Sequence, residues 1–351
     1  MNANPKLFVN ARFLTQPVSG VQRYAFEVCL QMKKRTPDIV FLTPQAILQN
    51  EWFEILQPQI IGTWSGHVWE QIELPHYLSK QQHYFLLNLC NTGPLVATSF
   101  AITIHDLSVW NFPQGHKPLF TAWYRFLLPR LARKAQHIFT VSQTVKNQLV
   151  EKWKLAPEKV AITYNGLSSS VTSYAKTNPT KQKQVLIVGN FSAKKNTLNA
   201  VKAFLQSKLS QEYVCVVIGQ QQQQAFTDVE FPRHARVLLH SNVSDDQLWR
   251  FYESAEIVMA VSFDEGFGIT VLEALYFGCK VLCSDILVYH ELYTDYVYFC
   301  QHRTVQGMAD GLNQLQQMSP TRPNDMQTLL EAYNYRRSAD CILDTLLNQN
   351  S

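Results

Sequence analysis

The sequence predicts an α/β protein built of two doubly wound, Rossmann-like domains. Three observations carry this. Short apolar runs rich in β-branched residues alternate with helical stretches along the whole chain. The runs are continuous rather than alternating, which is the pattern of parallel strands covered on both faces. The 351 residues are 46% hydrophobic and 17% charged, enough apolar material for two cores of about 150 residues each.

The first series of strands is expected at 6–10, 38–43, 59–64, 83–89, 100–107, 137–142 and 160–166. The second is expected at 184–190, 213–219, 236–241, 256–261, 280–285 and 296–300. Two such series indicate two open parallel sheets. A polar stretch with Pro179, near 166–184, reads as the seam. The domains are therefore expected at 1–170 and 171–330. The stretch 321–350 reads as one or two helices, the last at about 331–351, with Leu329, Tyr333, Ala339, Ile342 and Leu346 on one stripe. It either completes the second domain or packs back onto the first. The tract Gln220 to Gln224 reads as a solvated loop.

The charge balance of 31 basic and 27 acidic residues, net +4, is too mild for a nucleic-acid binder. No apolar run approaches the length of a spanning helix. The start lacks a basic segment followed by an apolar one, and the 7 cysteines form no C-x-x-C pair. The expectation is a cytoplasmic protein with reduced thiols.

The most informative segment is 262–285, SFDEGFGITVLEALYFGCKVLCSD. Its layout is strand, glycine loop, helix, strand, with Gly278 placed as a C-cap glycine. A glycine loop opening a helix presents backbone N–H groups and the positive end of a dipole, which suit a phosphate. Carboxylates do not hold phosphate. Glu265 on the loop and Glu273 one turn into the helix therefore belong on sugar and ribose hydroxyls. Asp245 and Asp246 stand at a helix start and read as a cap, and no carboxylate pair is placed as a metal clamp. No metal and no cofactor is expected.

The complete pattern resembles the E-x7-E signature of retaining GT-B glycosyltransferases of family 4. Segments along most of the chain resemble that family in order: SGVQRYAFEV (19–28), HVWEQIELP (67–75), TIHDLSVWNFP (103–113), TVSQTVK (140–146), NGLSS (165–169) and VGNFSAKKN (188–196). Within the family the chain looks like bacterial mannosyltransferases of polysaccharide (O-antigen or capsule) assembly. The resemblance implies two domains facing across a cleft, and transfer of a hexose, mannose from GDP-mannose, with retention. The acceptor it implies is a glycan or lipid-linked glycan. Rhamnose, glucose, galactose or an N-acetylhexosamine are the alternative sugars, and a non-catalytic sugar-nucleotide-binding protein is the alternative class.

Catalytic roles then fall to His105, Glu265 and Lys195. His105 follows a strand at the carboxyl edge of its sheet, where ligands of such folds bind. In the family, the matching histidine faces the donor sugar. Lys195 matches the lysine of the family's phosphate pair, but Asn190 stands where the usual arginine belongs. Donor binding is assigned to Gly20, Gly189, Asn190, Lys194, Lys195, Ser262, Glu265, Gly266, Phe267, Gly268, Ile269 and Glu273. Trp69, Glu70, Asn91 and Thr92 are expected on the acceptor side. Trp110, Phe112, Phe120, Trp123, Tyr124 and Phe126, with Arg125, Arg130, Arg133 and Lys134, would suit peripheral contact with the inner face of the plasma membrane.

Overall fold

The computed structural model describes residues 5–177, 180–219, 231–317 and 323–347. Pro179 and the tract Gln220 to Gln224 lie outside the described residues.

The chain divides into two compact units, each built on one parallel sheet. The first unit comprises residues 1–107, 123–168 and 333–351. Its seven strands are β1 (Lys6–Asn10), β2 (Val40–Thr43), β3 (Gln59–Ile60), β4 (Tyr84–Asn88), β5 (Phe100–Thr103), β6 (His137–Thr140) and β7 (Val160–Ile162), in the order β3-β2-β1-β4-β5-β6-β7. The second unit comprises residues 108–122 and 169–332. Its six strands are β8 (Gln182–Val188), β9 (Val214–Ile218), β10 (Val237–His240), β11 (Ala255–Ala260), β12 (Lys280–Ser284) and β13 (Tyr298–Cys300), in the order β10-β9-β8-β11-β12-β13. Every pairing is parallel.

All expected strands are present, and most are shorter at the carboxyl end. The third stops at Ile60 because Gly62 turns left-handed at φ 73°. The amides of Thr63 and Trp64 then bond the Glu73 carboxylate, each at 2.8 Å. Central strands such as β5 and β12 are buried along their whole length, while the edge strand β10 exposes Leu238 and Leu239. The core of the second unit is formed by Val185, Ile187, Val201, Phe204, Val217 and Met308, among others.

Helix ends follow their caps. The helix Gly20–Arg35 starts at a capping box between Ser19 and Gln22 and ends on Lys33, Lys34 and Arg35, which complement the dipole. At Asp245–Ser254 the cap is Ser244, not the aspartates. Asp245 and Asp246 occupy the first turn, and Asp245 Oδ2 accepts from the Ser170 hydroxyl at 2.8 Å.

Two boundaries differ from the sequence reading, and the C-terminal stretch takes one of its two expected courses, back onto the first unit. Residues 108–122 group with the second unit, because Phe112 stacks on Phe263 at 5.1 Å and Asn111 donates to Asp264 at 2.9 Å. The stretch around 166–184 is divided: Ser169–Ser173 is helical, and Tyr174 and Thr177 bond Glu253 of the second unit. The last stretch forms two helices belonging to different units, Pro323–Ala332 and Tyr335–Leu347. The second packs on Gly20–Arg35 and buries Tyr335, Ala339, Ile342 and Leu343. Arg35 pairs with Asp340 at 2.5 Å. Gly166 permits the approach, since a Cβ there would lie 2.7 Å from Asn334 Cα. Leu346 is only half-buried.

Among the described residues no helix is long and apolar enough to cross a membrane. All seven cysteines are free, and five are buried.

Candidate functional site

In the second unit the expected donor residues gather beyond the carboxyl ends of β8 and β11. After β8 the chain turns at Gly189, passes Asn190 and enters the single turn Ala193–Lys195. Asn196 then adopts a left-handed conformation, and the helix Thr197–Gln206 begins. Gly219, beyond β9, crowds this turn: a Cβ there would stand 1.9 Å from Gly189 O. After β11 come Ser262, Glu265 and the glycine loop leading to the helix Ile269–Tyr276. Gly268 has φ 82°, and a Cβ on it would lie 2.3 Å from a ring carbon of the buried Tyr289. That position is closed to other residues on both counts. Gly278 follows the helix at φ 72°, as its placement predicts.

Lys195 Nζ lies 2.6 Å from Glu265 Oε1, with both side chains largely shielded. Burial pushes the Glu265 carboxyl up, but Lys195, Lys194 and Ser262 outweigh it and hold it below the ordinary range. A small hollow here is lined by Val188, Lys195, Thr197, Ser262, Glu265 and Thr270. Among the described residues, the buried Thr197 Oγ1 has no hydrogen-bond partner. An orphaned hydroxyl at a helix start beside a lysine suits an anionic ligand oxygen.

Asn190, where the arginine is expected, accepts from the Ser192 hydroxyl through its side-chain oxygen at 2.9 Å. Lys194 is buried, and its charge acts on Glu265. Glu273 is buried on the helix, and its Oε2 accepts from Tyr252 Oη at 2.9 Å. A larger hollow of about 990 Å3 elsewhere in this unit, lined by Tyr174, Gln184, Arg250 and Glu253 among others, contains none of the expected site residues.

In the first unit, Gly20 is exposed at the first turn of its helix. His105 lies two residues beyond β5 and is buried. Its Nε2 is 2.8 Å from Leu89 O, which only accepts, so Nε2 carries the proton. Among the described residues Nδ1 makes no hydrogen bond. Burial lowers the His105 pKa, and the Leu89 carbonyl and Asp106 oppose that only in part, so the ring is neutral near pH 7. Asp106 is therefore not the imidazole's hydrogen-bond partner. Asn91, left-handed at φ 62°, accepts from the His105 amide at 2.8 Å and sets its position.

Glu70 and Thr92 belong to a buried polar cluster at the ends of β1 and β4. Glu70 Oε1 accepts from Asn10 Nδ2 at 3.0 Å, Arg12 Nε at 3.2 Å and Thr92 Oγ1 at 3.0 Å. Burial pushes the Glu70 carboxyl up, but Arg12, His67 and Asn10 overcome it and bring it down to about 2. Trp69 does not line a site. It is fully buried, and its indole N–H donates to Ile61 O at 2.8 Å.

The expected aromatic patch is mostly half-buried. Phe112 stacks on Phe263, Phe120 on His116, and Trp123 and Tyr124 flank His67. Phe126, covered by Arg130 at 3.8 Å, and Leu119 remain exposed on the helix Pro118–Lys134.

Sequence reasoning passed over Arg12, His67, Thr197 and Tyr252. Thr197 had a signal, standing at the start of a helix directly after the Lys-Lys-Asn loop. Arg12 and Tyr252 are partners of long-range contacts that no local pattern marks, while His67 forms an i,i+3 pair with Glu70.

Two family models match in sequence. The "Glycosyltransferase Family 4" model covers residues 18–170, and the "Glycosyl transferases group 1" model covers residues 172–328. Among curated relatives, the O-antigen chain mannosyltransferase RfbU of Salmonella typhimurium is 30% identical over 58% of this chain and 57% of its own length. The match thus spans little more than half of that relative. O-antigen chain mannosyltransferase B of Escherichia coli is 24% identical over 73% of this chain and 68% of its own. Among solved structures, HepE of Anabaena, in complex with UDP and glucose, superposes with a TM-score of 0.73 at 13% identity over 98% of this chain and 100% of its own. WaaG, a glycosyltransferase involved in lipopolysaccharide biosynthesis, gives 0.68 at 14% identity over 97% and 99%. With two parallel-sheet units of this topology and both halves matched in order, the chain belongs to the GT-B-fold glycosyltransferases.

Proposed function

We propose that the protein is a retaining hexosyltransferase of family 4. It moves a hexose, mannose from GDP-mannose, from a nucleoside diphosphate sugar to a hydroxyl of a glycan or lipid-linked glycan in bacterial surface polysaccharide assembly. The observation that carries this reading is the convergence of Lys195, Glu265 and the orphaned Thr197 hydroxyl on one hollow, beside a glycine loop that opens a helix. Cation, hydroxyl and helix amides suit a diphosphate, and a carboxylate suits the hydroxyls of the sugar it carries. The choice of mannose is supported by the two O-antigen mannosyltransferases among its relatives. A nucleoside diphosphate donor is in keeping with the UDP and glucose of the HepE complex.

In the reaction, the bond from the anomeric carbon to the diphosphate oxygen breaks. The acceptor oxygen bonds that carbon on the same face, and its proton passes to the departing oxygen. Negative charge builds on the diphosphate, so Lys195 with the loop amides is the stabilising group, and no metal is required. His105 acts on the sugar through Nδ1. The protein works at the cytoplasmic face of the membrane, with Leu119 and Phe126 as its apolar contacts and the nearby arginines on anionic lipid.

The test is a thermal-stabilisation screen of GDP-mannose against UDP- and dTDP-linked glucose, galactose, rhamnose and N-acetylhexosamines. A donor at 100 times its dissociation constant adds about 2.7 kcal/mol. The anomeric configuration of the product is then read by NMR. An inverted product, or no stabilisation by any nucleotide sugar, overturns the reading. Binding without turnover on any glycan acceptor makes the protein a sugar-nucleotide binder.

A further inference from the structure

Glu70 stands in a π-helical turn, Trp69–Glu73, and its two oxygens are used unequally. Oε1 takes three donors, from Asn10, Arg12 and Thr92. Arg12 is fixed in turn by Thr92, which accepts from its Nη2 at 2.9 Å. Oε2 takes one, His67 Nδ1 at 3.1 Å. With Oε1 saturated and the carboxylate almost wholly buried, Glu70 is not itself a ligand for substrate. Its role is to set the state of His67. An ionised carboxylate only accepts, so Nδ1 carries the proton, and in the neutral ring Nε2 keeps its lone pair.

The His67 side chain is 36% exposed, and among the described residues Nε2 makes no hydrogen bond. The ring packs edge-on against Trp123 and Tyr124, with centroids at 5.8 and 6.2 Å and interplanar angles of 67° and 83°. The exposed Nε2 thus offers one unused acceptor beside two aromatic rings. A sugar hydroxyl donates to such a nitrogen, and the apolar face of a sugar ring packs on aromatic rings.

The geometry points to His67 as a residue that binds a hydroxyl of the saccharide acceptor through Nε2, with Glu70 as its positioning residue. This rests on the glycosyltransferase reading above. A neutral saccharide is the ligand class, because the Arg12 charge is already neutralised by Glu70.

Two substitutions separate this from a structural role. In His67→Asn the amide nitrogen sits near Nδ1, so the bond to Glu70 survives and the Nε2 position is lost. In His67→Gln the amide reaches the Nε2 position. The measurement is ligand-observed NMR affinity for n-octyl α-mannoside, α-glucoside, α-galactoside and α-rhamnoside. GDP and UDP affinity and melting temperature are measured alongside.

The expected result is a loss of about tenfold in glycoside affinity in His67→Asn, the size of one hydrogen bond. Partial recovery is expected in His67→Gln, with nucleotide affinity unchanged in both. Wild-type glycoside affinity in His67→Asn with loss only in His67→Gln would show a structural residue and overturn the proposal. So would failure of the wild type to bind any of the four glycosides. Glycoside binding that depends on His67, with no nucleotide binding at all, would sink the glycosyltransferase reading instead.

Discussion

Lys195 and Glu265, 70 positions apart in sequence, satisfy each other through a 2.6 Å ion pair at the mouth of the glycine loop. A diphosphate arriving there competes with Glu265 for the lysine, and a sugar hydroxyl competes with Lys195 for the carboxylate. Lys195→Ala should therefore weaken GDP or UDP binding by roughly 10- to 150-fold, the loss of a charged hydrogen bond of about 1.5–3 kcal/mol. Glu265→Gln should leave diphosphate affinity equal or higher, because the lysine is released, while transfer collapses. Calorimetry with the free nucleotide and initial transfer rates decide this. Equal losses of nucleotide affinity in the two variants would refute the division of roles.

Glu273 is held by the Tyr252 hydroxyl, and burial together with that carboxylate pushes the phenol's pKa up. Glu273→Ala should lower nucleotide affinity through loss of the ribose contact. It should also cost about 1–3 kcal/mol of stability by orphaning a buried hydroxyl. Tyr252→Phe should weaken the nucleotide only a few-fold. Chemical denaturation and nucleotide titration of both variants test this, and unchanged nucleotide affinity in Glu273→Ala removes it from the ribose site.

For His105 the expectation is a split between folding and transfer. His105→Ala should bind free nucleotide normally, since the proposed nucleotide anchors lie on the second unit, and lose turnover and specificity constant together. The folded-state pKa is depressed below the usual value of 6.5. The neutral ring thus contributes stability above about pH 6.5 that is lost as pH falls through the lower folded value. Between pH 7 and 8 the ring does not titrate, so transfer should show no inflection from it. Melting temperature and transfer rate are measured together, with EDTA present. Activity lost only in step with unfolding would make the histidine structural, and recovery with added divalent metal would defeat metal independence.

Glu70→Gln removes the anion that neutralises buried Arg12. An uncompensated buried charge costs about 3–5 kcal/mol, so a marked fall in melting temperature is expected. With its carboxyl down at about 2 against an ordinary 4.5, wild-type Glu70 contributes stability that is present above pH 4.5 and lost as pH falls toward 2. The variant should lack that part of the acid transition. A variant as stable as wild type at pH 7, with the same acid midpoint, would contradict the network.

The strands were legible because a buried parallel strand must be apolar on both faces, and β4, β5, β9 and β12 carry that signature whatever their neighbours. The glycine loop was legible because backbone geometry leaves few residues to choose from at Gly268 and Gly278. What the sequence concealed is set by distant contacts. Phe112 looks like any surface aromatic until Phe263 is placed beside it. In the segment His67-Val68-Trp69-Glu70, the tryptophan draws attention, yet it turns inward to bond Ile61 O, while the less conspicuous histidine faces out. Which of two side chains two positions apart is core depends on the phase of a wide helical turn, and four letters do not encode that phase.

The helix Tyr335–Leu347 has a consequence for how the chain acquires its structure as it is made. The first unit is discontinuous, and the apolar flank of Gly20–Arg35 receives its cover from residues translated some three hundred positions later. The second unit has all its strands and helices once residue 332 has emerged, so it is positioned to finish first, against the usual order in which amino-terminal domains lead. Until then the nascent first unit holds Tyr24 without the Tyr335 ring that stands 6.0 Å from it in the finished protein. Stalled or prematurely terminated chains would therefore expose an apolar surface on their earliest-made part, the kind of species that chaperones and proteases recognise.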